Sequence, residues 1–409
     1  MRRRKAAGPE PPHSVPSRQK TALPEQVEFI DICYNASANI AAVREWSRNH
    51  GEDAVQDRKW SRRKVLKVSA VSAAATLFAE PLVAAAPPAT EVTSALVEAA
   101  RKEGKVSFYT ALELNVAERL SRMFEAKYPG IAVRVERSGA ERIFQRIAQE
   151  QASGINAVDV ANSTDPAHYP DRKNHGWLAP YVPDDVARHF PADQIDADGM
   201  HATSCAWTEA IGYNTSLVKQ EDAPKSYADL LDPKWQGRIV KGHPGYSGAI
   251  MTATFVLARD LGWSYLEKLA QQKVMQVQSA ADPPKKILLG ERAIMADGND
   301  YNLVLLKDQG KPVEVVYPTE GSPLIIVPSG IFQGAPNPNA ARLFQSFFFS
   351  AEGQQLLVDG FAHRSFHALI KEKAGHTPLS TLKLLKADPA AVQAQSEEIK
   401  ARYAKVFGV

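Results

Sequence analysis

Apolar residues at Val92, Leu96, Val97 and Ala100 recur at helical spacing, so residues 91–102 are expected to form a short amphipathic helix that Gly104 stops. KVSFYT (105–110) then alternates as a strand does. Helical periodicity resumes over 114–128 and ends at Pro129-Gly130. IAVRVER (131–137) reads as a second strand, Ser138-Gly139 opens a helix running to 151, and Val158-Asp159-Val160 is a short buried strand. This β-α-β-α-β order predicts a parallel sheet with covering helices.

A second body follows. AWTEAIGY (206–213) reads as one long connecting strand, and YADLLDPKWQG (227–237) as a short helix and turn. Strands are expected at 238–241, 290–296 and 313–317, with an apolar helix opened by Ser247-Gly248 and running to Asp260. LIIV (324–327) returns to the first body, and the chain from Asn339 onward is helical, with Phe344, Phe347, Phe348 and Phe349 as a core face. Two α/β bodies joined by two crossings place a cleft between them, lined by strand C-termini and helix N-termini, where ligands of open α/β sheets bind.

Length and charge refine this picture. The chain has 409 residues, 44% hydrophobic and 23% charged, and a net charge of +3, which suits a globular protein of two compact bodies. Residues 1–86 hold 14 Lys and Arg against 9 Asp and Glu, leaving 35 against 37 for the remainder. The basicity therefore belongs to the N-terminus, and nucleic-acid binding by the main body is not expected. Of the two cysteines, Cys33 and Cys205, the second has no Lys, Arg or His flanking it and reads as a buried, unreactive thiol.

WSRRKVLKVSAVSAAATLF (60–78) has a basic start and a modest apolar run, followed by a small-residue ending at Val83-Ala84-Ala85-Ala86. These are the parts of a cleavable export signal, here assigned to 58–88, and its twin arginines match the twin-arginine type with Val65 in place of the usual Phe. Glu80 and Pro81 argue against a membrane anchor. Residues 1–57 are then an N-terminal extension; a translation start misassigned from near Val55 would explain it, as would a long n-region or a real extra segment.

From Gly104 to Gln355 the order of GKVSFYT, FEAKYPGIAVRV, VDVANS, AIGYNTSLV, SYADLLDPKWQGRI, YSGA, KDQGKPVEVVYPTEGSP and APNPNAARLFQSFFFSAEGQQLL resembles the extracellular solute-binding proteins (family 1) of bacterial ABC importers, in the ferric-ion-binding group. The resemblance implies a two-lobed type II periplasmic-binding-protein fold: lobe 1 over 89–206, lobe 2 over 207–322, and 323–409 as the return to lobe 1 with C-terminal helices. It further implies a periplasmic, non-enzymatic monomer without a cofactor, a permease in the inner membrane as partner, and a small ligand or Fe(III) as transported cargo.

The tyrosine pair that binds metal in ferric members falls on Gly298-Asn299 here, the early histidine ligand on Glu113, and the acidic ligand near Thr164-Asp165. A metal set of Glu113, Asp165 and Asp300 is therefore the one to test. Ser247-Gly248-Ala249 matches the helix N-terminus that holds a phosphate-like anion in those members. Ser138-Gly139 opens a helix in the same manner, and free N–H groups with a positive dipole end favour an anion at either place. Thr110 and Ala111 at the end of the first strand, with Asn299 and Tyr301, complete the expected ligand set. Organic carboxylates, phosphonates and cationic metabolites are the alternative cargoes.

Other readings compete. Asp297 and Asp300 in DGND (297–300) are consistent with turn caps. Trp207, Trp235 and Trp263 are expected to pack, and His363 and His367 to face solvent unless a third metal ligand joins them. GYSGA (245–249) is one residue short of the G-x-S-x-G elbow, so a serine hydrolase using Ser247, Asp297 or Asp300, and His363 is the rival class.

Overall fold

The computed structural model describes residues 85–409. The N-terminal extension, the twin arginines and Cys33 lie outside the described residues, as does nearly all of the expected signal.

Helix α1 (Ser94–Glu103) starts where Thr93 Oγ1 accepts the Leu96 N–H and stops where Gly104 takes φ 72°, with Arg101 and Lys102 at its negative dipole end. Strand β1 (Lys105–Thr110), α2 (Leu114–Lys127), β2 (Ala132–Arg137), α3 (Ala140–Ala152) and β3 (Val160–Asn162) follow in the expected alternation. Helix α4 (His168–Asn174), β4 (Leu178–Ala179), α5 (Asp184–His189) and β5 (Ala202–Thr208) complete this stretch. Lobe 2 contains β6 (Ile211–Asn214), β7 (Ile239–Gly242), α6 (Gly248–Asp260), α7 (Trp263–Gln271), β8 (Met275–Val277), α8 (Asp282–Leu288), β9 (Ile294–Asp297), α9 (Asp300–Asp308) and β10 (Val313–Val316). The chain returns through β11 (Ser322–Phe332) into α10 (Pro338–Phe349) and α11 (Ala351–Phe361), then β12 (Leu384–Leu385) and α12 (Pro389–Phe407).

Two sheets result. The first has the order β12-β11-β3-β1-β2, with β4 and β5 also paired to β11; the second runs β10-β6-β9-β7-β8. Strands β1, β2 and β3 are parallel, and β11 runs against β3 and β5. The stretch 206–213, expected as one strand, is two: β5 belongs to the first sheet and β6 to the second, and the break between them is a crossing. At this crossing Glu209 N–H donates to Pro323 O at 3.0 Å and Ala210 N–H to Gly298 O at 3.0 Å.

The lobe 1 core forms where α10 meets β1 and α2. Phe344 lies 5.0 Å from Phe108 and 5.2 Å from Phe124, ring to ring. Burying such a ring stabilises by about 1.5–3 kcal/mol, so the expected phenylalanine face is a principal anchor of this lobe. Lobe 2 has its own core of Tyr227, Trp235, Ile239, Leu266 and Ile294.

The C-terminal helix does more than extend lobe 1. Helix α12 packs on α6 and α7 and also on α4. Tyr403 Oη donates to Gln276 at 2.8 Å, the Arg402 guanidinium lies 4.4 Å over Trp263, and Gln393 Nε2 reaches Asp171 at 3.2 Å. Among the described residues no helix is long and apolar enough to cross a membrane.

Candidate functional site

Between the lobes lies a cleft of about 730 Å³. Its lobe 1 wall is built where β1 and β2 end. Thr110 Oγ1 donates to Asn162 at 2.6 Å and accepts the Leu112 N–H at 3.0 Å, which pins the turn that follows. Thr110 is itself fully buried and shapes the wall without lining it, whereas Ala111, Leu112 and Glu113 line it. Tyr109 is a core residue whose hydroxyl donates to Glu150 at 3.1 Å; burial pushes its phenol up to about 12.

Helix α3 begins at this wall. Gly139 is its N-cap in extended conformation, and no side chain caps the helix. Gly139 through Arg142 line the cleft, and the first-turn N–H groups of such a helix end have no intrahelical partner. Ser138 stands outside the lining, its N–H donating to Thr110 O at 3.3 Å. Two arginines that sequence reading missed join this wall, Arg137 and Arg142. Arg137 Nε donates to Leu112 O at 3.0 Å, and neither guanidinium is in an ion pair among the described residues. Arg137 ends a parallel strand, and that position was the available signal.

Across the cleft, helix α6 is entered through Ser247, whose Oγ accepts the Ile250 N–H at 3.4 Å. Ser247 and Ala249 line the cleft, as does Thr164 opposite. Gly248 does not line it: a Cβ there would stand 2.3 Å from Asp165 Cβ and 2.8 Å from Asp165 N. Gly248 and Asp165 thus form a seam where the lobes touch. Asp165 Oδ1 accepts the Ala167 N–H at 3.1 Å, His168 lies 3.7 Å away, and burial pushes the carboxyl pKa up. A second close approach is Gly139 to Tyr246, with a Cβ at Gly139 3.3 Å from the Tyr246 carbonyl oxygen. The two helix N-termini therefore belong to adjoining loops.

The lobe 2 floor carries Asn299, Tyr301 and Asn302. Asn299 Nδ2 donates to Tyr301 Oη at 2.8 Å, and Tyr301 Oη donates to Glu113 Oε1 at 3.4 Å. Asn302 Nδ2 donates to the same Oε1 at 3.0 Å. Burial, then the Glu113 and Glu209 charges, push the Tyr301 phenol well above its usual value, so it stands as a neutral donor.

Several sequence expectations need correction. Asp300 is no turn cap and does not line the cleft. Its carboxylate accepts from Thr208 N at 3.2 Å, Thr208 Oγ1 at 2.9 Å and Tyr317 Oη at 3.3 Å, with Arg364 3.6 Å away. Asp297 ends β9 in a fully buried pair with Lys241 at 2.5 Å. Glu113, Asp165 and Asp300 accordingly sit in three separate environments and do not form a metal set. His363 and His367 are buried at 1% and 2% exposure, because the segment after α11 folds back against β5 through the Arg364–Ala206 bridge. Trp235 packs in the lobe 2 core, but Trp207 also lines the cleft, its Nε1 donating to Glu209 at 3.1 Å. Cys205 is buried in β5, which pushes its thiol up to about 12.

Among the described residues, a different trio brings possible metal-ligand atoms together: Asp185, His189 and His367. There His367 Nδ1 accepts the Leu369 N–H at 3.2 Å, so its proton is on Nε2, facing Asp185 at 3.2 Å. Both ring nitrogens are engaged, which suits a structural contact. The hydrolase arrangement is likewise not assembled. Ser247 caps its helix, and His363 has no partner on either nitrogen among the described residues, packs against Trp207 and Tyr301, and is held neutral by burial with a pKa near 3.

Two sheets, two crossings and a cleft walled by helix N-termini define a two-lobed solute-binding protein. Residues 120–363, more than half of the chain, match the family described as bacterial extracellular solute-binding protein, and the chain belongs to it. It is similar to iron uptake protein A1 of Synechocystis sp., 23% identical over 63% of this chain and 74% of that protein. It is also similar to a putative 2-aminoethylphosphonate-binding periplasmic protein of Salmonella typhimurium, 27% identical over 56% and 67% of the two chains. Among solved structures, the periplasmic binding protein AfuA from Actinobacillus pleuropneumoniae, with fructose-6-phosphate bound, superposes with a TM-score of 0.69. It is 23% identical over 75% of this chain and 99% of that one. The chain is a non-enzymatic solute-binding component of an ABC importer, working with an inner-membrane permease and carrying no cofactor of its own.

Proposed function

We propose that the cargo is a small oxyanion, held between the uncapped N-terminus of α3, Arg137 and the Ser247 end of α6. The observation that carries this reading is the α3 end itself: no side chain caps it, residues 139–142 line the cleft, and two guanidiniums without an ion pair among the described residues stand beside it. Free N–H groups, a positive dipole end and arginine forks recognise phosphate-, sulfonate- and carboxylate-type groups. Relatives named for a phosphonate and bound to a sugar phosphate accord with it.

A ferric ion with a synergistic anion is the second reading, and iron uptake protein A1 is what favours it. Against it, the three candidate carboxylates stand apart. The position of the tyrosine pair is held by Gly298 and Asn299, neither of which supplies a phenolate oxygen. The chain is read as a monomer exported to the periplasm by its signal at 58–88; N-terminal sequencing of periplasmic protein tests that, and a start before residue 58 overturns it.

Thermal unfolding of residues 89–409 with phosphate, 2-aminoethylphosphonate, citrate and ferric citrate tests the cargo. A ligand at 100 times its Kd adds about 2.7 kcal/mol, a shift of a few degrees. A rise with an anion alone supports the oxyanion; a rise with ferric citrate but with none of the metal-free anions overturns it in favour of iron.

A further inference from the structure

We propose that the cargo is a zwitterion, its oxyanion at the α3 end and a primary ammonium on Glu113. This deepens the oxyanion reading and rests on it. Three carboxylates line the cleft: Glu113, Glu141 and Asp282. Two of them are already balanced. Glu141 has His168 and Lys400 within ion-pair reach and a pKa depressed to about 2, chiefly by the His168 hydrogen bond. Asp282 pairs with Lys285 at 3.3 Å. Glu113 has no cation within ion-pair distance among the described residues.

Glu113 is also not engaged by its own helix. It occupies the N-cap position of α2, where a carboxylate would ordinarily accept first-turn N–H groups, yet makes no capping bond. The side chain turns instead to α9 of the other lobe, where Asn302 and Tyr301 both donate to Oε1. Oε2 has no partner. The same network ends on Asn299 Oδ1, a buried acceptor without a donor among the described residues. Glu113 Oε2 and Asn299 Oδ1 thus remain as spare acceptors next to a carboxylate that has no ion-pair partner among the described residues. A primary ammonium supplies a positive charge and three N–H donors. A neutral hydroxyl would leave the charge unbalanced, and a second anion would be repelled.

Glu113 belongs to lobe 1 and its donors to lobe 2, so an ammonium on Oε2 would sit beside hydrogen bonds that span the cleft.

Titration calorimetry with pairs that differ only by methyl for ammonium provides the test: 2-aminoethylphosphonate against propylphosphonate, taurine against propanesulfonate, and β-alanine against butyrate. The wild type is expected to bind the amino member of at least one pair tenfold or more tightly. In Glu113→Gln, whose Oε1 still accepts from Asn302 and Tyr301, the preference should fall to within about threefold. Equal binding of both members by the wild type, or a preference that survives Glu113→Gln, overturns the ammonium site and leaves the oxyanion standing. Binding of neither member of any pair overturns both.

Discussion

The wall and the floor of the cleft hold similar residues in opposite states. On the wall, Arg137, Arg142 and Glu113 have no ion-pair partner among the described residues, and no side chain caps the first turn of α3. Beneath the floor, Asp300 with Arg364, Thr208 and Tyr317, and Asp297 with Lys241, are buried and engage one another. Unbalanced charge is tolerable on the wall because water or ligand reaches it; under the floor the same charge would incur its full desolvation penalty. The two helix ends differ likewise. The α3 end is open, while the α6 end is capped by Ser247 and sealed at Gly248 by Asp165. Sequence similarity between Ser138-Gly139-Ala140 and Ser247-Gly248-Ala249 hides that difference.

The most severe way to break this contrast is Asp300→Ala. Arg364 would keep Glu372, 3.4 Å away, but lose its buried partner, and Thr208 and Tyr317 would lose their acceptor; the loss should be about 2–4 kcal/mol, read by urea unfolding. A loss below about 1 kcal/mol would return Asp300 to the ligand candidates. Next is Gly248→Ala, which drives a methyl into the Asp165 backbone. It should cost about 1–3 kcal/mol and widen the cleft in solution scattering; an unchanged profile would mean that the seam is not a lobe contact.

Glu209, under the floor, gives a pH test. Burial first, then Asp297, raises its pKa well above the ordinary value, with Asp300 adding to this and Trp207 and Lys241 opposing it. A folded pKa above the unfolded one means that the stabilisation is complete below about pH 4.5 and is lost as pH rises toward the folded value, at no more than about 1.4 kcal/mol per pH unit. Glu209→Gln should remove that part of the slope, and parallel stability curves for variant and wild type would refute it. The smallest effect is expected from Ser247→Ala, where loss of an N-cap costs about 1 kcal/mol. Esterase activity present in the wild type and lost in that variant would revive the hydrolase.

Much of the fold was legible in the chain. The alternation at 105–110 and 131–137, the helical spacing at 114–128 and the phenylalanines of α10 read correctly because burial imposes those periods locally. The break at 209–210 was not legible, since both halves are apolar and buried and only pairing assigns them to different sheets. Of the expected site residues, Ala111, Glu113, Gly139, Thr164, Ser247, Ala249, Asn299 and Tyr301 line the cleft, whereas Thr110, Ser138, Asp165, Gly248 and Asp300 do not. Arg137, Arg142 and Asn302 were missed.

Sequence by itself determined most of the strands and helices, that two α/β bodies alternate along the chain, and part of the set of residues with the chemistry to hold an anion. Tertiary structure alone decided which of those groups are already satisfied. Asp300 and Glu113 are both acidic residues beside a helix start, and nothing local distinguishes them. Arg364, 64 residues beyond Asp300, reaches one of them and not the other. Charge balance in a buried site is set by partners distant in sequence, and only folding brings those partners together.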